Sequence, residues 1–478
     1  MANLTKALTE GWLYSLKKNT SPATTDSPNY WSSDASSLIT TSQPLSFTLG
    51  TGAQILTTTL NKCESTTYEL LIVTCFWADS VSKQAISSLL LKLSAKGLSQ
   101  NRKISVRICF SSRSIVQKLF QTSSLNGKIY PPSTWTDLGL PAPVDLVGLD
   151  LDVKSVFVRP FSVMHPKFIL VDRKLAFMPS CNVSWENWFE GCIEMQGGIT
   201  EKLFDFWVSF WAQGKTDLPA SLPQDNELEA SNAQLLTLDT ATTPKPTSAT
   251  SLITQTTYPP TFPPPQTILL PSPHHFNPHF LILSTPRPPP TPLNTFLLQA
   301  FSLATSTIYI QTPNLTCFPV IAALRSALNR GVDVHLVTSS RLMILEQLVT
   351  AGTITEFEVW KLGRWYRRAC GKCGNKTRRG VDGHVDRDLE RGEERVGGLR
   401  IGYYRPSEGV NGEEEPVKSH LKLVIIDGEV TVLGSGNMDR ASWYTSQELG
   451  VAFFSKEMAS EITRDVDKGL EGRVHYVC

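Results

Sequence analysis

The chain has 478 residues, with 45 lysines and arginines against 44 aspartates and glutamates, which gives a net charge of +1. Such a balanced charge provides no global field to attract a polyanion, which argues against a nonspecific nucleic-acid coat or a polybasic membrane anchor. The length is sufficient for two or three domains, each with its own hydrophobic core. The nine cysteines are too sparse, and odd in number, for a disulfide framework, so a reducing compartment is expected.

Membrane-targeting signals are missing from the pattern of apolar residues. Residues 1–18 do not combine a basic stretch, an apolar core and a small-residue cleavage site, as a secretory signal would. The best apolar runs, Glu69 to Trp77 and Leu421 to Ile426, have the length of strands and fall short of the roughly 18–20 residues that span a bilayer. We therefore expect a cytoplasmic protein without a signal peptide or transmembrane helix, whose contact with a membrane would be peripheral.

Two segments of biased composition interrupt the chain. Of the 31 prolines, 15 lie between Pro244 and Pro292, in a Ser/Thr-rich stretch with almost no charge. Such a segment cannot bury enough apolar surface to offset its ordering entropy, so we predict a disordered linker over residues 216–280. Residues 364–418 are dense in glycine and in charges of both signs, which predicts a solvated loop insertion.

The two sides of the proline-rich linker have the same order of elements. Glu69–Trp77 reads as a strand, Ile86–Leu93 as a helix and Val106–Ser112 as a strand. The second half repeats this order at Ser306–Pro313, Val320–Leu328 and Val334–Ser340. Strand, helix and strand at this spacing predict parallel strands. We therefore predict an α/β fold with two tandem domains, 46–215 and 281–478, preceded by an N-terminal extension of residues 1–45.

Each half also carries one polar motif with the same spacing. Histidine is followed by lysine two residues later, aspartate five after that, serine eight later and asparagine two later. The two copies are His165, Lys167, Asp172, Ser180 and Asn182, and His420, Lys422, Asp427, Ser435 and Asn437. A carboxylate follows each copy, Glu194 at 12 residues beyond the asparagine and Glu448 at 11.

The residue types in this motif suit a phosphate group. In a strand, residues i and i+2 share a face, so each histidine and lysine should project side by side, ahead of a buried apolar run. Lysine supplies positive charge, and serine and asparagine supply neutral donors for the oxygens of a phosphate. Two such half-sites would allow one imidazole to attack phosphorus while the other protonates the leaving oxygen. A single histidine on an apolar strand is commonly structural, but recurrence of the whole motif argues against that interpretation.

The pattern HxKxxxxD followed by GSxN resembles the signature of the phospholipase D superfamily. Residues 434–442, with Glu448 before an apolar strand, resemble the second motif of cardiolipin-synthase-type phosphatidyltransferases. The resemblance covers roughly residues 50–215 and 280–470. It implies two domains with mixed sheets flanked by helices, related by a pseudo-twofold axis, with the active site at their interface. It also implies phosphodiester transfer through a phosphohistidine, without a metal or cofactor.

The resemblance assigns a role to each motif residue. It makes His165 the nucleophile and His420 the general acid and then base, although the symmetry leaves the reverse assignment open. It assigns phosphate binding to the lysines and asparagines, Lys167, Lys422, Asn182 and Asn437, with help from Ser180 and Ser435. Glu194 and Glu448 would support the histidines. Asp172 and Asp427 would brace the motif. Pro179 departs from the pattern, because the second copy has Gly434 there and proline lacks an N–H.

The function implied is a phospholipase D-type phosphodiesterase or phosphatidyltransferase acting on glycerophospholipids. The alternatives are a phosphodiesterase acting on nucleic-acid ends and a non-catalytic phosphate- or lipid-binding member of the fold. No obligate protein partner is expected. Cys370, Cys373 and His384 form only a weak zinc pattern. The basic, aromatic segment 364–368 could contact lipid headgroups or a nucleic-acid backbone, or be a solvated loop.

Overall fold

Two mixed β-sheets flanked by helices form the structure. The computed structural model describes residues 2–18, 34–114, 117, 126–158, 162–212, 222, 254–273, 288–378, 396–407 and 415–478. Both sheets contain parallel and antiparallel pairs, and the same strand order recurs in each. The predicted α/β fold class is confirmed.

The first sheet follows the order β4–β5–β3–β2–β8–β9–β10–β1–β11. Only β2, β3 and β5 run parallel within it. A separate small hairpin is formed by β6 and β7. The strands are β1 (Ile39–Thr51), β2 (Glu69–Phe76), β3 (Ile104–Ser112), β4 (Lys128–Tyr130), β5 (Leu149–Ser155), β6 (Phe157–Val158), β7 (Ser162–Val163), β8 (Phe168–Val171), β9 (Leu175–Pro179), β10 (Trp188–Gly197) and β11 (Thr254–Thr257).

The second sheet follows the order β20–β15–β14–β13–β17–β18–β19–β12. The short strand β16 pairs with β10 of the first sheet, and β12 also pairs with β1, so the two sheets are continuous. The strands are β12 (Gln266–Ser272), β13 (Thr307–Gln311), β14 (Asp333–Thr338), β15 (Leu399–Tyr404), β16 (Lys418–Ser419), β17 (Leu423–Ile426), β18 (Val430–Gly434), β19 (Glu448–Phe454) and β20 (Val474–Tyr476).

Helices cover the sheets and connect the parallel strands. They are α1 (Ala2–Lys18), α2 (Gly52–Cys63), α3 (Val81–Ser99), α4 (Gly198–Phe210), α5 (Pro292–Leu303), α6 (Phe318–Asn329), α7 (Ile344–Ala351), α8 (Thr355–Arg378), α9 (Arg440–Tyr444) and α10 (Lys456–Leu470). Short 3-10 helices lie at Ala35–Leu38, Pro132–Thr134, Thr136–Leu138 and Pro143–Leu146. Within the described ranges, every helix is too short or too polar to cross a bilayer.

The predicted strand–helix–strand repeats are present in both halves. Helix α3 connects the parallel strands β2 and β3, and α6 connects the parallel strands β13 and β14. Serine caps α3, because the Ser80 hydroxyl accepts the Lys83 backbone N–H, while α6 begins with proline in its first turn. In each half, the carboxyl ends of the two parallel strands therefore lie at the same edge of the sheet.

The predicted linker is wrong over residues 254–273, which contain β11 and β12. Strand β12 pairs with β19 along its whole length, and Ile268, Leu269 and Leu270 are fully buried. Because β12 occupies the place in the second sheet that β1 occupies in the first, the second domain begins near Gln266 rather than at residue 281. The apolar run between prolines was the missed signal. Most of the remaining predicted linker lies outside the described residues.

The predicted N-terminal extension and charged insertion also differ from the structure. The first sheet begins at Ile39, inside the predicted extension, and α1 packs against α5 of the second domain. Residues 364–418 contain the end of α8 and all of β15, which pairs with β14, and are therefore not a single loop. Residues 379–395 and 408–414 of the predicted insertion lie outside the described residues.

Candidate active site

The two histidines lie just before inner strands of the two sheets. Strands β8 and β17 are completely buried, as the sequence predicts for their apolar runs. The histidine and lysine themselves lie in the segments that precede these strands, not within them. Each histidine backbone is held by the opposite domain, because His165 N–H donates to Gln447 O at 3.0 Å and His420 N–H donates to Phe189 O at 2.9 Å.

Each imidazole pairs with a glutamate from the other domain. His165 Nδ1 lies 2.8 Å from Glu448 Oε2, and His420 Nδ1 lies 2.8 Å from Glu190 Oε1. Both glutamates and His420 are almost completely buried, and the His165 side chain is 15% exposed. The two half-sites are therefore interlocked, with each domain completing the histidine of the other.

Burial and the neighbouring groups together set the charge states of the histidines and glutamates. It lowers the pKa of His165 and lowers the pKa of His420 to about 4, although the facing glutamates act in the opposite direction. Burial alone would raise the pKa of Glu190 and Glu448, but the facing histidines, together with nearby hydroxyl and lysine groups, lower it. Each carboxylate is thus ionised, so the neutral imidazole donates its Nδ1–H and presents the lone pair of Nε2 on the opposite side of the ring.

Two buried lysines accompany the histidines. Lys167 Nζ donates to His165 O at 2.9 Å, and Lys422 Nζ donates to His420 O at 2.6 Å. Burial lowers the pKa of Lys422 to about 7, with Lys167 contributing by repulsion and Glu190 opposing both. The positive charge of Lys167 in the first domain therefore acts on Lys422 in the second domain. An ammonium group carries three N–H donors, so a phosphate could accept those not used by the histidine carbonyls.

The serines of the motif hold the glutamates. Ser435 Oγ donates to Glu448 Oε2 at 2.5 Å, and Ser180 Oγ donates to Glu190. The same hydroxyls accept backbone N–H groups from β19 and β10, at 3.0 Å and 2.9 Å. The predicted phosphate contact of Ser180 and Ser435 is therefore corrected, because their hydrogen bonds are used to orient the carboxylates.

Glu194 does not support a histidine, and this sequence prediction is wrong. Its carboxylate accepts from Lys62 Nζ at 2.6 Å and from Ser46 Oγ at 2.5 Å. Glu194 shares a face of β10 with Glu190, but four residues of strand separate them by about 13 Å. The residue that sequence reasoning missed is Glu190.

The difference in spacing explains the missed glutamate. In the second half, α9 lies between Asn437 and Glu448, whereas a shorter loop without a helix joins Asn182 to β10. Counting from the asparagine therefore overshoots Glu190. The useful signal was position relative to the strand: Glu448 begins β19, and Glu190 lies near the start of β10.

The asparagines contribute unpaired polar atoms to the site. Asn437 Nδ2 donates to Asp439 Oδ2 at 3.1 Å. The Oδ1 atoms of Asn182 and Asn437 are buried and have no hydrogen-bond partner among the described residues. A buried polar atom without a partner costs free energy and is typical of a site that awaits a ligand.

The two aspartates brace the motif, as the sequence analysis favours. Asp172 accepts the backbone N–H groups of Thr67, Tyr68 and Glu69 at 2.7–2.8 Å. Asp427 accepts those of the equivalent segment 305–307, at 2.8–2.9 Å. Each carboxylate thus ties the turn after one motif strand to the start of a neighbouring strand, and their hydrogen bonds place them in the scaffold.

Pro179 leaves the first half-site with the geometry of the second. At the equivalent position, an added Cβ on Gly434 would lie 2.3 Å from Leu449 O, so the close approach of β19 requires glycine. Despite the proline, Ser180 N–H donates to Gly191 O at 2.8 Å, matching the 2.9 Å bond from Ser435 N–H to Leu449 O.

The weak zinc pattern gains no support. Cys370 is exposed on α8, whereas the side chain of Cys373 and all of His384 lie outside the described residues. In the part of the chain that the structure describes, histidine, cysteine and acidic side chains form no cluster of three that could hold a metal ion.

Comparisons with known proteins agree with this architecture. Residues 297–469 match the family model described as "Cardiolipin synthase, PLD-like domain". No curated protein sequence shows a significant match. The solved structure of phosphatidylserine synthase from Haemophilus influenzae Rd KW20 is 12% identical and has a TM-score of 0.52, with 91% of this chain and 87% of that chain covered.

Two further solved structures are more distant. Polyphosphate kinase from Porphyromonas gingivalis is 10% identical, with a TM-score of 0.42 and coverage of 89% of this chain and 50% of that chain. Nuc, a phospholipase D family member from Salmonella typhimurium, is 18% identical, with a TM-score of 0.25 and coverage of 38% and 90%. The family model thus confirms the resemblance over residues 297–469, which match a PLD-like domain, and the chain as a whole shares its fold with the phosphatidylserine synthase structure.

Proposed function

We propose that the protein is a phospholipase D-type phosphodiesterase or phosphatidyltransferase that acts on glycerophospholipids. The observation that carries the proposal is the pair of buried histidines, each oriented by a glutamate from the opposite domain. Two oriented imidazoles beside two buried ammonium groups suit the two-step displacement of an alcohol from a phosphodiester.

In the first step, Nε2 of His165 attacks phosphorus and the bond to the leaving alcohol oxygen breaks. His420, protonated when the phosphodiester anion is bound, gives its proton to that oxygen. In the second step, water or an acceptor alcohol gives a proton to His420 and attacks phosphorus, and the phosphorus–nitrogen bond breaks. Lys167 and Lys422 stabilise the negative charge on the phosphate oxygens throughout. The symmetry of the site permits the two histidines to exchange roles.

A glycerophospholipid is the favoured substrate because of the relatives. The family model that matches residues 297–469 is named for cardiolipin synthase, and the structural relative with the two-domain fold is named phosphatidylserine synthase. Both names describe enzymes that handle phosphatidyl groups. The intact pairing in both half-sites supports catalysis over a purely binding role.

A substrate panel tests the proposal. Purified protein would be incubated with phosphatidylcholine, phosphatidylglycerol and an end-labelled oligonucleotide, each with and without an acceptor alcohol, and products would be identified by mass spectrometry. We expect release or exchange of a lipid headgroup, in the presence of EDTA as in its absence. Cleavage of the oligonucleotide alone would overturn the lipid assignment, and loss of activity in EDTA would overturn the metal-free mechanism.

Histidine variants test the covalent step. His165→Ala and His420→Ala should each abolish turnover, and circular dichroism would show that each variant is folded at the assay temperature. Rapid-quench labelling with a phosphorus-labelled lipid should place the label on one of the two histidines. Turnover by either alanine variant at a rate near that of the wild type would contradict the proposed roles.

A further inference from the structure

Helix α7 turns its apolar side chains outward. Leu345 is 79% exposed, Leu348 46% and Val349 48%, whereas the polar residue Gln347 is only 3% exposed. A surface helix of a globular protein has the opposite arrangement, with its apolar stripe on the core. The inversion requires a specific cause.

Hydrogen bonds of Gln347 fix this orientation. Its Oε1 accepts the backbone N–H and the hydroxyl of Thr355, both at 2.8 Å. Its Nε2 donates to Leu342 O at 2.6 Å and to Asn314 Oδ1 at 3.2 Å. Because all of these bonds are buried, rotating the apolar face inward would leave several polar groups unpaired. The exposed face is therefore a fixed feature of the fold.

The start of α8 also carries exposed apolar side chains. Phe357 is 50% exposed and Trp360 49%, and their rings stack at a centroid distance of 5.7 Å. We define the apolar patch as these two aromatic residues and the exposed apolar residues of and before α7: Met343, Ile344, Leu345, Leu348, Val349, Phe357 and Trp360. Seven exposed apolar side chains within 18 residues of chain mark an interaction site more often than an isolated exposed leucine does.

Positive charge borders the apolar patch. The Lys361 ammonium lies 4.8 Å from the centroid of the Phe357 ring, and the Arg364 guanidinium lies 5.2 Å from that of Trp360. All seven charged residues between positions 361 and 378 are basic. The acidic residues of α8, Glu356 and Glu358, lie in its first turn, and Glu358 pairs with Lys361 at 2.6 Å, whereas Arg364 lies beyond them. The helix is thus increasingly basic beyond the aromatic pair.

The same elements are connected to the candidate active site. Asn314, which binds Gln347, precedes Leu315, and Leu315 is bridged to Met438, the residue after Asn437. Helix α7 also packs against α9, which follows that motif. The apolar patch therefore belongs to the part of the second domain that surrounds the second half-site.

We propose that the apolar patch and the basic residues that follow it on α8 dock the protein on an anionic phospholipid bilayer. Leucine, phenylalanine and tryptophan side chains enter the boundary between headgroups and acyl chains, and the cations that follow them contact headgroup phosphates. Docking through this surface holds the second half-site at the membrane, where a headgroup phosphate is accessible. The purpose of docking rests on the proposed lipid substrate, but the binding itself does not.

Vesicle co-sedimentation tests the docking surface. The full chain would be mixed with phosphatidylcholine vesicles with and without phosphatidylglycerol, at low and high salt. We expect binding that increases with phosphatidylglycerol and decreases with salt. The double variant Leu345→Glu/Leu348→Glu should reduce the partition coefficient at least about tenfold. Arg364→Glu should reduce binding to the anionic vesicles by about fivefold or more and leave binding to pure phosphatidylcholine nearly unchanged.

A matched control and a second readout separate the explanations. Leu98→Glu changes an equally accessible leucine, 57% exposed, on α3 of the first domain, and should bind as the wild type does. On a monomeric short-chain phospholipid, the double variant should be as active as the wild type, whereas on vesicles it should be slower by the factor lost in binding. If neither protein is active but binding follows this pattern, only the proposed function fails. Wild-type binding by the double variant, or a dimer in analytical ultracentrifugation that the double variant dissolves, would overturn membrane docking.

Discussion

His165 and Glu448 belong to different domains and are joined by a hydrogen bond of 2.8 Å. The reciprocal pair, His420 and Glu190, has the same length. Since a neutral imidazole has one N–H, a carboxylate at Nδ1 determines which nitrogen carries the proton. The domain interface therefore sets the tautomer of both histidines, and neither domain alone would hold its own histidine in this state.

The first prediction concerns Glu190. We expect Glu190→Gln to lower kcat by about a hundredfold or more, because the amide no longer stabilises the imidazolium or enforces the tautomer of His420. KM should change less, since the carboxylate faces the histidine rather than an open surface. Steady-state kinetics on a phospholipid substrate measure both parameters.

Glu194 is the matched control on the same strand. Glu194→Gln weakens the pair with Lys62 and should cost about 1–3 kcal/mol in the free energy of unfolding. Its kcat should remain near that of the wild type, because the carboxylate is about 13 Å from Glu190 along the strand. If Glu194→Gln lost kcat and Glu190→Gln kept it, the assignment of the two carboxylates would be reversed.

The contrast between these glutamates illustrates what the sequence could predict. Histidine, lysine and aspartate were found because they recur with the same spacing in both copies of the motif. Beyond the asparagine, loops of different length reach the next strand, and counting residues no longer tracks position in space. Glu190 is defined by pairing of β9 with β10, which is a long-range property of the folded chain.

Strand β12 illustrates a second limit of prediction. The strand is a short apolar run within a proline-rich stretch, and the average composition of that stretch indicates a linker. What stabilises the strand is its position between β19 and β1, where its apolar side chains are completely buried. Average composition describes the unfolded segment, whereas burial depends on partner strands that are distant in sequence. The tandem repeat itself was predictable, because each of its units is local.

The second prediction concerns Asp427. Replacing it with asparagine should lower the free energy of unfolding at pH 7 by about 1–2 kcal/mol, because charged hydrogen bonds to the backbone N–H groups at positions 305–307 are weakened. Burial would raise the pKa of Asp427, but these N–H donors outweigh burial and lower it. Urea unfolding of both proteins measures the difference.

The pH dependence of that difference has a definite sign. Because the pKa is lower in the folded state, the stabilisation by Asp427 is present above the unfolded pKa of about 4 and is lost as the pH falls through the folded value. The wild type and Asp427→Asn should therefore differ more at pH 7 than at about pH 3. Asp145→Asn, at an exposed aspartate, is the control for the loss of one negative charge. An equal difference at both pH values would contradict the role of the ionised carboxylate.

The third prediction is proton uptake on binding of a phosphate. In the free protein, the pKa of Lys422 is lowered to about 7 and that of His420 to about 4, chiefly by burial. An anion placed between these groups favours their charged forms and raises both pKa values. Binding of dimethyl phosphate, a phosphodiester anion that does not itself titrate near neutral pH, should thus take up protons at pH 7.5, a value about half a unit above the lysine pKa.

Calorimetry in two buffers of different ionisation enthalpy measures this uptake. Lys422→Gln should bind dimethyl phosphate more weakly and take up fewer protons, because one of the titrating groups is gone. Lys62→Gln removes a lysine that pairs with Glu194 and should leave the proton uptake unchanged. Release of protons, or uptake that is identical in Lys422→Gln and the wild type, would contradict the proposed phosphate site.

The fourth prediction concerns the N-terminal helix. Leu8, Trp12 and Leu16 recur every four residues on one face of α1 and are buried, and Trp12 Nε1 donates to Pro292 O at 3.0 Å. The Trp12 ring also contacts Phe296 edge-on at 6.2 Å. We expect Trp12→Ala to lower the free energy of unfolding by about 3–5 kcal/mol, because it removes a fully buried aromatic side chain.

Two substitutions divide this effect into its parts. Trp12→Phe retains a buried ring but leaves the Pro292 carbonyl without its donor. It should therefore lower the free energy of unfolding by less than Trp12→Ala does, and the difference between the two variants measures the contribution of ring packing. Tyr14→Ala, at a side chain that is 67% exposed on the same helix, should change stability by less than about 0.5 kcal/mol. Equal stability of Trp12→Ala and the wild type would show that α1 does not contribute to the core. A loss confined to Trp12→Ala and Trp12→Phe would establish that residues before the first sheet are part of the second domain's packing.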